Sequence, residues 1–409
     1  MYYYFLFICT LYFGFFSLPD KVPGLVRDIL FIPLLIYSIS SWKKSPKGDL
    51  LGKILIFSFG AFIIYNVILL VSAKKYLSEI TSLMNIRDIY PFFLFFITIS
   101  LVDDKEKFMK TVKFGLVMSV VAALFAIAQS IYGTKPMFDP DGFYNIGHWE
   151  GQGGMMIGPI ARVTLPTLYL IYIVFISMIV YYLVAGKIKY LWIIILLSAA
   201  ILISFTRSAW LATSVALIVS AFFLNRNMLI KKNTFSVSFI LLTILSLSIV
   251  VFIMLDNPIS VSLNERFLSI FSDLHNASGT FGYRLLNLQR FVEIWKSFGF
   301  FFGVDPFFIG RYNEPTLSDV GYVYVLVTIG LVGFVMLVTI WILGIAYGIR
   351  TLKTGALLKS RELALSGAVL LASIIYFIIC QVYTQFGFVT SLFSIIFGLT
   401  IASRRIYNV

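Results

Sequence analysis

The sequence predicts an all-α polytopic membrane protein with about twelve transmembrane helices. Of its 409 residues, 60% are hydrophobic and only 12% are charged, and the mean hydropathy is +0.95. Soluble domains average about 45–50% apolar and about 25% charged residues, so this composition excludes a soluble protein. The apolar runs are continuous rather than alternating, which disfavours an outer-membrane β-barrel. The run at 54–71 is long enough to cross most of a ~30 Å hydrocarbon core as a helix.

Apolar runs separated by polar segments place the individual spans. The predicted spans are 2–18, 24–41, 51–73, 89–102, 112–133, 159–185, 188–205, 208–224, 235–255, 320–347, 363–381 and 384–402. The second span contains Arg27 and Asp28, and the fourth is short, so these two are the weakest of the set. Every other run has the length and apolar content of a membrane-crossing helix.

Basic residues concentrate in the segments that follow every second span. Nineteen of the 32 Lys and Arg residues lie on that side. They are Lys43, Lys44, Lys47, Lys53, Lys105, Lys107, Lys110, Lys113, Lys187, Lys189, Arg226, Lys231, Lys232, Arg350, Lys353, Lys359, Arg361, Arg404 and Arg405. Short cytoplasmic loops carry such an excess, which predicts that both termini are cytoplasmic. The same distribution accounts for the net charge of +13 without a nucleic-acid partner.

Two segments on the opposite side are longer than connections need to be. Residues 1–255 hold spans one to nine with a minor outer loop near 133–158, residues 256–319 form a large outer loop, and residues 320–409 hold spans ten to twelve. Within the large loop, residues 281–298 have an apolar stripe at helical spacing. This pattern indicates either an amphipathic helix on the membrane surface or a helix packed on the bundle.

Two arginines lie near the outer ends of predicted spans. Arg207 sits in ISFTRSAWLATS, between the seventh and eighth spans, and Arg162 lies just inside the sixth span. A guanidinium near hydrocarbon is energetically costly, so each of them is a candidate functional residue. The alternative is an anchor whose charged head reaches the interface, and both interpretations stay open. An arginine on the outer side runs against the charge rule, which favours a function for Arg207.

The large outer loop carries a second set of candidates. An arginine fork pairs with two phosphate oxygens, so Arg284, Arg290 and neighbouring arginines could hold a lipid-linked pyrophosphate above the membrane. His275 is a candidate because an imidazole can act as a base near neutral pH. For each of these side chains, the alternative is ordinary solvated surface.

Asp319 immediately precedes the tenth span, in SDVGYVYVLVTIGLVG. A carboxylate at this position can cap the helix, or it can act as a general base at the mouth of a membrane cavity. The two roles are compatible.

The cysteines, Cys9 and Cys380, lie singly in apolar runs, and DPDG at 139–142 lacks the later ligands of a calcium loop. The sequence therefore predicts no metal and no cofactor.

The overall layout and three local motifs resemble the O-antigen polymerase and O-antigen ligase superfamily. About twelve spans, cytoplasmic termini and a large outer loop between the ninth and tenth spans extend the likeness over most of the chain. TRSAWLA at 206–212 is similar to the arginine-bearing motif between the seventh and eighth spans. Residues 284–288 fit the Arg-x-x-x-Leu element of the large loop, and Gly330 and Gly333 fit the glycine pair that ends the family's final loop motif.

One departure from the family separates its two branches. Asp319 stands eleven residues before Gly330, where the ligases carry a histidine. That histidine is thought to activate the acceptor in ligases, and polymerases are more variable there. The resemblance therefore favours a polysaccharide repeat-unit polymerase over a ligase.

The resemblance implies a metal-independent glycosyltransferase of the bacterial inner membrane. It would join undecaprenyl-pyrophosphate-linked repeat units into an O-antigen or capsule on the outer leaflet. Arg207 and Arg284 would stabilise the departing pyrophosphate, and Asp319 would activate the acceptor hydroxyl. The substrate-binding candidates are Arg162, Arg290, His275 and Tyr283, the last by stacking on a sugar face. The implied partners are the lipid-linked glycan, membrane lipid, a chain-length regulator and a flippase.

Two other functions remain alternatives to the polymerase. A ligase would transfer the finished glycan to lipid A core, and the missing histidine counts against it. A transporter of lipid-linked oligosaccharide would predict repeat symmetry with paired broken helices, and the sequence has no such repeat.

Overall fold

The described part of the chain is almost entirely helical. The structure, a computed structural model, describes residues 1–12, 25–40, 49–73, 90–132, 156–157, 160–161, 168–185, 190–204, 207–226, 292–293, 295–296, 300–303, 321–380 and 390–407. In chain order the helices are α1 Tyr2–Tyr12, α2 Leu25–Ser40, α3 Leu50–Ala73, α4 Tyr90–Leu101, α5 Lys105–Tyr132, α6 Leu168–Ala185, α7 Leu191–Ile203, α8 Arg207–Arg226, α9 Gly321–Leu357, α10 Arg361–Cys380 and α11 Thr390–Ile406. A two-residue antiparallel pair, β1 Met156–Ile157 and β2 Ile160–Ala161, precedes α6.

Four of these helices contain segments that are long and apolar enough to cross a membrane. The segments are Leu50–Leu69, Lys105–Ile131, Val325–Leu357 and Arg361–Cys380. Large apolar side chains on the bundle surface, such as Phe57 at 75% and Ile218 at 68% exposure, have the bilayer as their natural environment. The protein is therefore embedded in a membrane.

Eleven of the twelve predicted spans overlap a helix of the structure. The predicted ninth span, 235–255, lies outside the described residues, and so does most of the predicted amphipathic helix at 281–298. The predicted start of the sixth span at 159 is wrong, because Ile160–Ala161 pairs as a strand and α6 begins at Leu168. A short hairpin satisfies backbone groups there that the predicted helix would have satisfied internally.

Helix α10 is the central helix, and 72% of its candidate span is buried. It packs closely on α9 through glycines on both helices. A Cβ on Gly355 would lie 2.3 Å from the Ala364 nitrogen, and one on Gly367 would lie 2.5 Å from the Leu352 nitrogen. Membrane helices gain most of their association energy from such contacts, because small residues let the backbones approach.

An aromatic cluster joins α3, α4 and α11. The Phe59 and Phe95 rings are stacked with centroids 4.1 Å apart, and Phe397 meets Phe59 edge-on at 5.3 Å. All three side chains are fully buried. Aromatic pairs in these geometries add to the packing energy of the buried area, so the cluster fixes the distance between the three helices.

Helix α9 is broken at Gly330, where φ is +67° and ψ is −174°. The break divides it into a first limb, residues 321–329, and a second limb, residues 331–357. The Tyr322 ring lies 6.0 Å from the Trp341 ring and 6.3 Å from the Phe334 ring. In a straight helix the Cα atoms of Tyr322 and Trp341 would be about 28 Å apart along the axis. The first limb therefore folds back beside the second, and the predicted tenth span, 320–347, is not one straight helix.

A buried ionic cluster stabilises one end of the bundle. We call this end of the bundle the arginine end. The Asp49 carboxylate accepts a hydrogen bond of 3.3 Å from Arg350 Nη1, and its other oxygen lies 3.3 Å from Arg404 Nε. The Arg404 guanidinium also lies over the Tyr347 ring, 5.5 Å from its centroid. These contacts join α9 and α11 to the residue that precedes α3.

Most described ionisable side chains lie at this arginine end. The basic ones are Lys53, Lys105, Lys107, Lys110, Lys113, Arg350, Lys353, Lys359, Arg361, Arg404 and Arg405. The acidic ones are Asp49, Asp103, Asp104, Glu106 and Glu362. Ion pairs such as Lys105 Nζ–Glu362 Oε1 at 3.1 Å tie neighbouring helices together there. The excess of basic over acidic residues gives the arginine end a net positive charge.

Candidate functional site at the tyrosine end of the bundle

Only one of the residues predicted to act in catalysis or binding falls within the described chain. Arg207 is the first residue of α8, and its backbone alone is described. The others lie outside the described residues: Asp319, Arg284, Arg162, Arg290, His275 and Tyr283. The structure does describe the two helices that are next to these positions in the sequence: Arg207 is the first residue of α8, and Asp319 comes two positions before α9.

The start of α8 is held against the end of α7. Trp210 Nε1 donates a hydrogen bond of 2.9 Å to the Ile201 carbonyl. Ser204, the C-cap residue of α7, bonds through its hydroxyl to the same carbonyl at 2.7 Å. Its oxygen is also 2.8 Å from the Tyr172 hydroxyl on α6. Two donors thus satisfy one of the last carbonyls of α7, and the tight connection to α8 is fixed on three helices.

The same network continues from α6 to the first limb of α9. The Tyr172 ring lies 5.7 Å from the Tyr376 ring on α10, and the Cys380 thiol is 3.8 Å from the Tyr376 hydroxyl. Tyr322, on the first limb of α9, donates a hydrogen bond to the Ile378 carbonyl. We call this end of the bundle, marked by Tyr172, Tyr322 and Tyr376, the tyrosine end.

Five helices therefore meet in one network of neutral groups. The side chains of the network are phenol, hydroxyl, thiol and indole groups, and none of them is a carboxylate. The network connects the first turns of α8 and of α9. Helix N-terminal turns have N–H groups without intrahelical partners and carry a partial positive charge. The network thus links the positive N-terminal turns of two helices.

The glycine pair of the family resemblance has a structural role at the break in α9. Gly330 has a backbone conformation that only glycine adopts readily. A Cβ on Gly333 would lie 2.7 Å from the Ile329 side chain, so only glycine fits beneath the last turn of the first limb. The Tyr65 hydroxyl of α3 donates a 2.7 Å hydrogen bond to the Ile329 carbonyl, which satisfies a carbonyl that the break leaves without an intrahelical donor.

Sequence reasoning missed the tyrosine network itself. Ser204 lies three positions before Arg207 in ISFTRSAW, and Tyr322 lies three positions after Asp319. A polar side chain at the end of an apolar run, next to a candidate residue, was the available signal. With 23 tyrosines in the chain, that signal was too common to stand out.

No protein-family model matches this chain, and no curated protein matches it significantly. The family resemblance therefore depends on the motifs described above.

Proposed function

We propose that this protein is a polymerase that joins undecaprenyl-pyrophosphate-linked oligosaccharide repeat units into a surface polysaccharide. The observation that carries the proposal is the network at the tyrosine end. It joins the first turns of α8 and α9, the two helices next to Arg207 and Asp319. The family resemblance implies that Arg207 and Asp319 act in one reaction. The network supports this shared role because it ties their two helices together.

The proposed topology has twelve spans with both termini in the cytoplasm of a bacterium and residues 256–319 outside the inner membrane. The arginine end then faces the cytoplasm, in keeping with its eleven described basic residues against five acidic ones. The tyrosine end faces the outer leaflet. A lipid-linked donor reaches this end from the bilayer, and its sugar chain extends into the aqueous phase.

In the proposed reaction, a hydroxyl oxygen of the acceptor repeat unit attacks the anomeric carbon of the donor glycan. The bond between that carbon and the pyrophosphate oxygen breaks, and undecaprenyl pyrophosphate leaves. Asp319 takes the proton of the acceptor hydroxyl as general base. Arg207 and Arg284 stabilise the charge on the leaving pyrophosphate, aided by the positive first turns of α8 and α9. No metal, cofactor or nucleotide enters the reaction.

The remaining candidates hold the substrate. Arg162 and Arg290 contact the pyrophosphate or the glycan, and His275 and Tyr283 contact the sugars. The membrane lipid, a chain-length regulator and a flippase complete the proposed set of partners. The flippase supplies the lipid-linked repeat unit to the outer leaflet, and the regulator limits the length of the product.

The decisive experiment uses purified protein with an undecaprenyl-pyrophosphate-linked repeat unit and no added nucleotide or metal. A ladder of longer lipid-linked glycans is the expected product. Arg207→Ala and Arg284→Ala are expected to abolish the ladder without removing the protein from the membrane. Arg226→Ala is the matched control, because Arg226 ends the same helix that Arg207 begins. A full ladder from Arg207→Ala would remove that arginine from the mechanism.

Asp319→Asn separates the two roles of Asp319. Asparagine caps a helix as well as aspartate does, but it cannot accept a proton. Loss of the ladder together with unchanged thermal unfolding indicates a general base. A full ladder from this variant would assign Asp319 to capping alone.

One observation favours a transporter as the second candidate. Broken helices such as α9 occur at the substrate sites of many transporters. The same lipid-linked repeat unit, placed in the inner leaflet of proteoliposomes, distinguishes the two functions. Movement to the outer leaflet without elongation would establish a transporter. Transfer of the glycan to an added lipid A core acceptor would instead establish a ligase.

A further inference from the structure

A short segment, residues 300–303, is inserted against the break in α9, and we call it the wedge. Its backbone caps the second limb: the Leu331 N–H donates to the Phe300 carbonyl at 3.0 Å, and the Val332 N–H donates to the Phe301 carbonyl at 3.0 Å. The first N–H groups of a helix have no partner within it. A segment outside the helix therefore replaces the intrahelical bonds that the break removes.

The wedge contacts α9 through two glycine backbones. A Cβ on Gly330 would lie 2.3 Å from the Gly303 nitrogen and 2.4 Å from the Phe301 carbonyl oxygen. A Cβ on Gly303 would lie 2.3 Å from the Thr328 carbonyl oxygen. Both glycines also have positive φ, +81° at Gly303 and +67° at Gly330. Steric space and backbone conformation thus both demand glycine at each position.

Aromatic side chains near the wedge hold the wedge and the end of the first limb in place. Trp295 Nε1 donates a 3.0 Å hydrogen bond to the Phe300 carbonyl, and the two rings are stacked with centroids 4.6 Å apart. Tyr65 of α3 bonds to the Ile329 carbonyl at the end of the first limb. The break is therefore held by three parts of the chain, namely the wedge, α3 and α9 itself.

We propose that Gly303 and Gly330 are positioning residues, whose backbone contact holds the first limb of α9 folded back so that its N-terminal turn lies at the tyrosine network. This proposal rests on the proposed function for its effect on the reaction, but not for its geometry. The fold-back places Tyr322 against the Ile378 carbonyl, which brings the first turn of α9 to the network. Without the Gly303–Gly330 contact, the first limb loses the support that keeps it in that position.

The geometric part is tested by cross-linking in the full-length protein. Tyr322→Cys and Phe334→Cys are combined in a background with Cys9→Ala and Cys380→Ala, and a short bifunctional thiol reagent is added to membranes. The folded-back limb brings the two side chains together, whereas a straight helix would separate the two positions by about 18 Å. We expect the cross-link in the parent protein and its loss with Gly330→Ala. The absence of a cross-link in the parent protein would overturn the proposal.

The functional part is tested by the turnover of the same protein without the engineered cysteines. We expect Gly330→Ala and Gly303→Ala to lower the maximal rate about 100-fold, with a smaller change in KM, because a misplacement of about 1 Å can cost that much. Gly115→Ala is the control, since a Cβ at Gly115 meets no atom within 4 Å. Suppose that a glycine substitution abolishes the cross-link in the cysteine background. If the same substitution without the engineered cysteines then gives turnover equal to that of Gly115→Ala, the positioning role is overturned.

The two measurements separate this proposal from the proposed function. If the parent protein makes no polymer, the polymerase assignment fails and the cross-link still decides the geometry. If Gly330→Ala does not reach the membrane, Gly303→Ala tests the same contact from the wedge. Normal turnover with an intact cross-link in Gly303→Ala would show that the contact is dispensable and refute the proposal.

Discussion

Among the described residues, Asp49 supplies the carboxylate of the ionic cluster at the arginine end, and Asp49→Asn removes its charge while keeping the shape of the side chain. Asp49 is 2% exposed, and the side chain of its partner Arg404 is 4% exposed, whereas that of Arg350 is 48% exposed. The substitution leaves the Arg404 charge buried without a described carboxylate partner. Its remaining described contacts are the Tyr347 ring and a 3.4 Å hydrogen bond to Thr354.

The expected loss of stability follows from the difference in burial between the two arginines. Breaking a buried ion pair by removing one partner costs about 3–5 kcal/mol, because an uncompensated charge remains. Breaking a pair that is largely exposed costs about 0–1 kcal/mol. Asp49→Asn is therefore expected to destabilise the protein by about 3 kcal/mol or more, and Arg350→Gln by about 1 kcal/mol or less. The double variant Asp49→Asn/Arg404→Gln is expected to recover part of the loss.

The assay is unfolding of the purified protein in detergent micelles, followed by circular dichroism. It compares the parent with the single variants Asp49→Asn, Arg350→Gln and Arg404→Gln and with the double variant. The helical content of the folded state serves as the control for correct assembly. Equal free energies of unfolding for Asp49→Asn and Arg350→Gln would refute the reasoning from burial. Additive losses in the double variant would show that Asp49 and Arg404 do not interact.

Three further predictions concern packing and the broken helix. Tyr65→Phe is expected to lower the free energy of unfolding by about 1–3 kcal/mol, because it leaves the Ile329 carbonyl without its described donor; a change below ~0.5 kcal/mol in micelles would contradict this. Gly355→Val is expected to disrupt assembly of the bundle because of backbone contact with α10, whereas Gly115→Val has open space; equal melting temperatures would refute this contrast. Phe59→Ala removes a buried ring stacked on α4 and is expected to cost about 3–5 kcal/mol, and an unchanged unfolding curve would disprove the packing argument.

The positions of the helices could be predicted because the property that drives them is local. In a bilayer, each apolar run satisfies its own backbone as a helix, so hydropathy alone locates it. This reasoning placed α3 and α10 within two residues of their observed ends. It failed at the start of α6, where a strand pair at 156–161 satisfies the backbone through a neighbouring segment instead.

The break at Gly330 could not be predicted, because the segment that contacts it lies elsewhere in the chain. GLVG reads as an ordinary apolar stretch, and glycine is common in membrane helices. At the break, the backbone of Gly330 contacts that of Gly303, which lies 27 positions earlier in the chain. The ionic cluster has the same property: Asp49 and Arg404 are 355 positions apart, and the sequence shows each only as a charge beside a span. Pattern reasoning detects the residue types but not these pairings.

The two ends of the bundle use different chemistry, and the difference bears on the proposed site. At the arginine end, buried and interhelical carboxylates pair with the basic side chains. At the tyrosine end, the described side chains that join helices α6 to α10 are all neutral: they are tyrosine, serine and tryptophan side chains. The described tyrosine network thus supports the first turns of α8 and α9 without cancelling their partial positive charge, which is compatible with the pyrophosphate substrate that we propose.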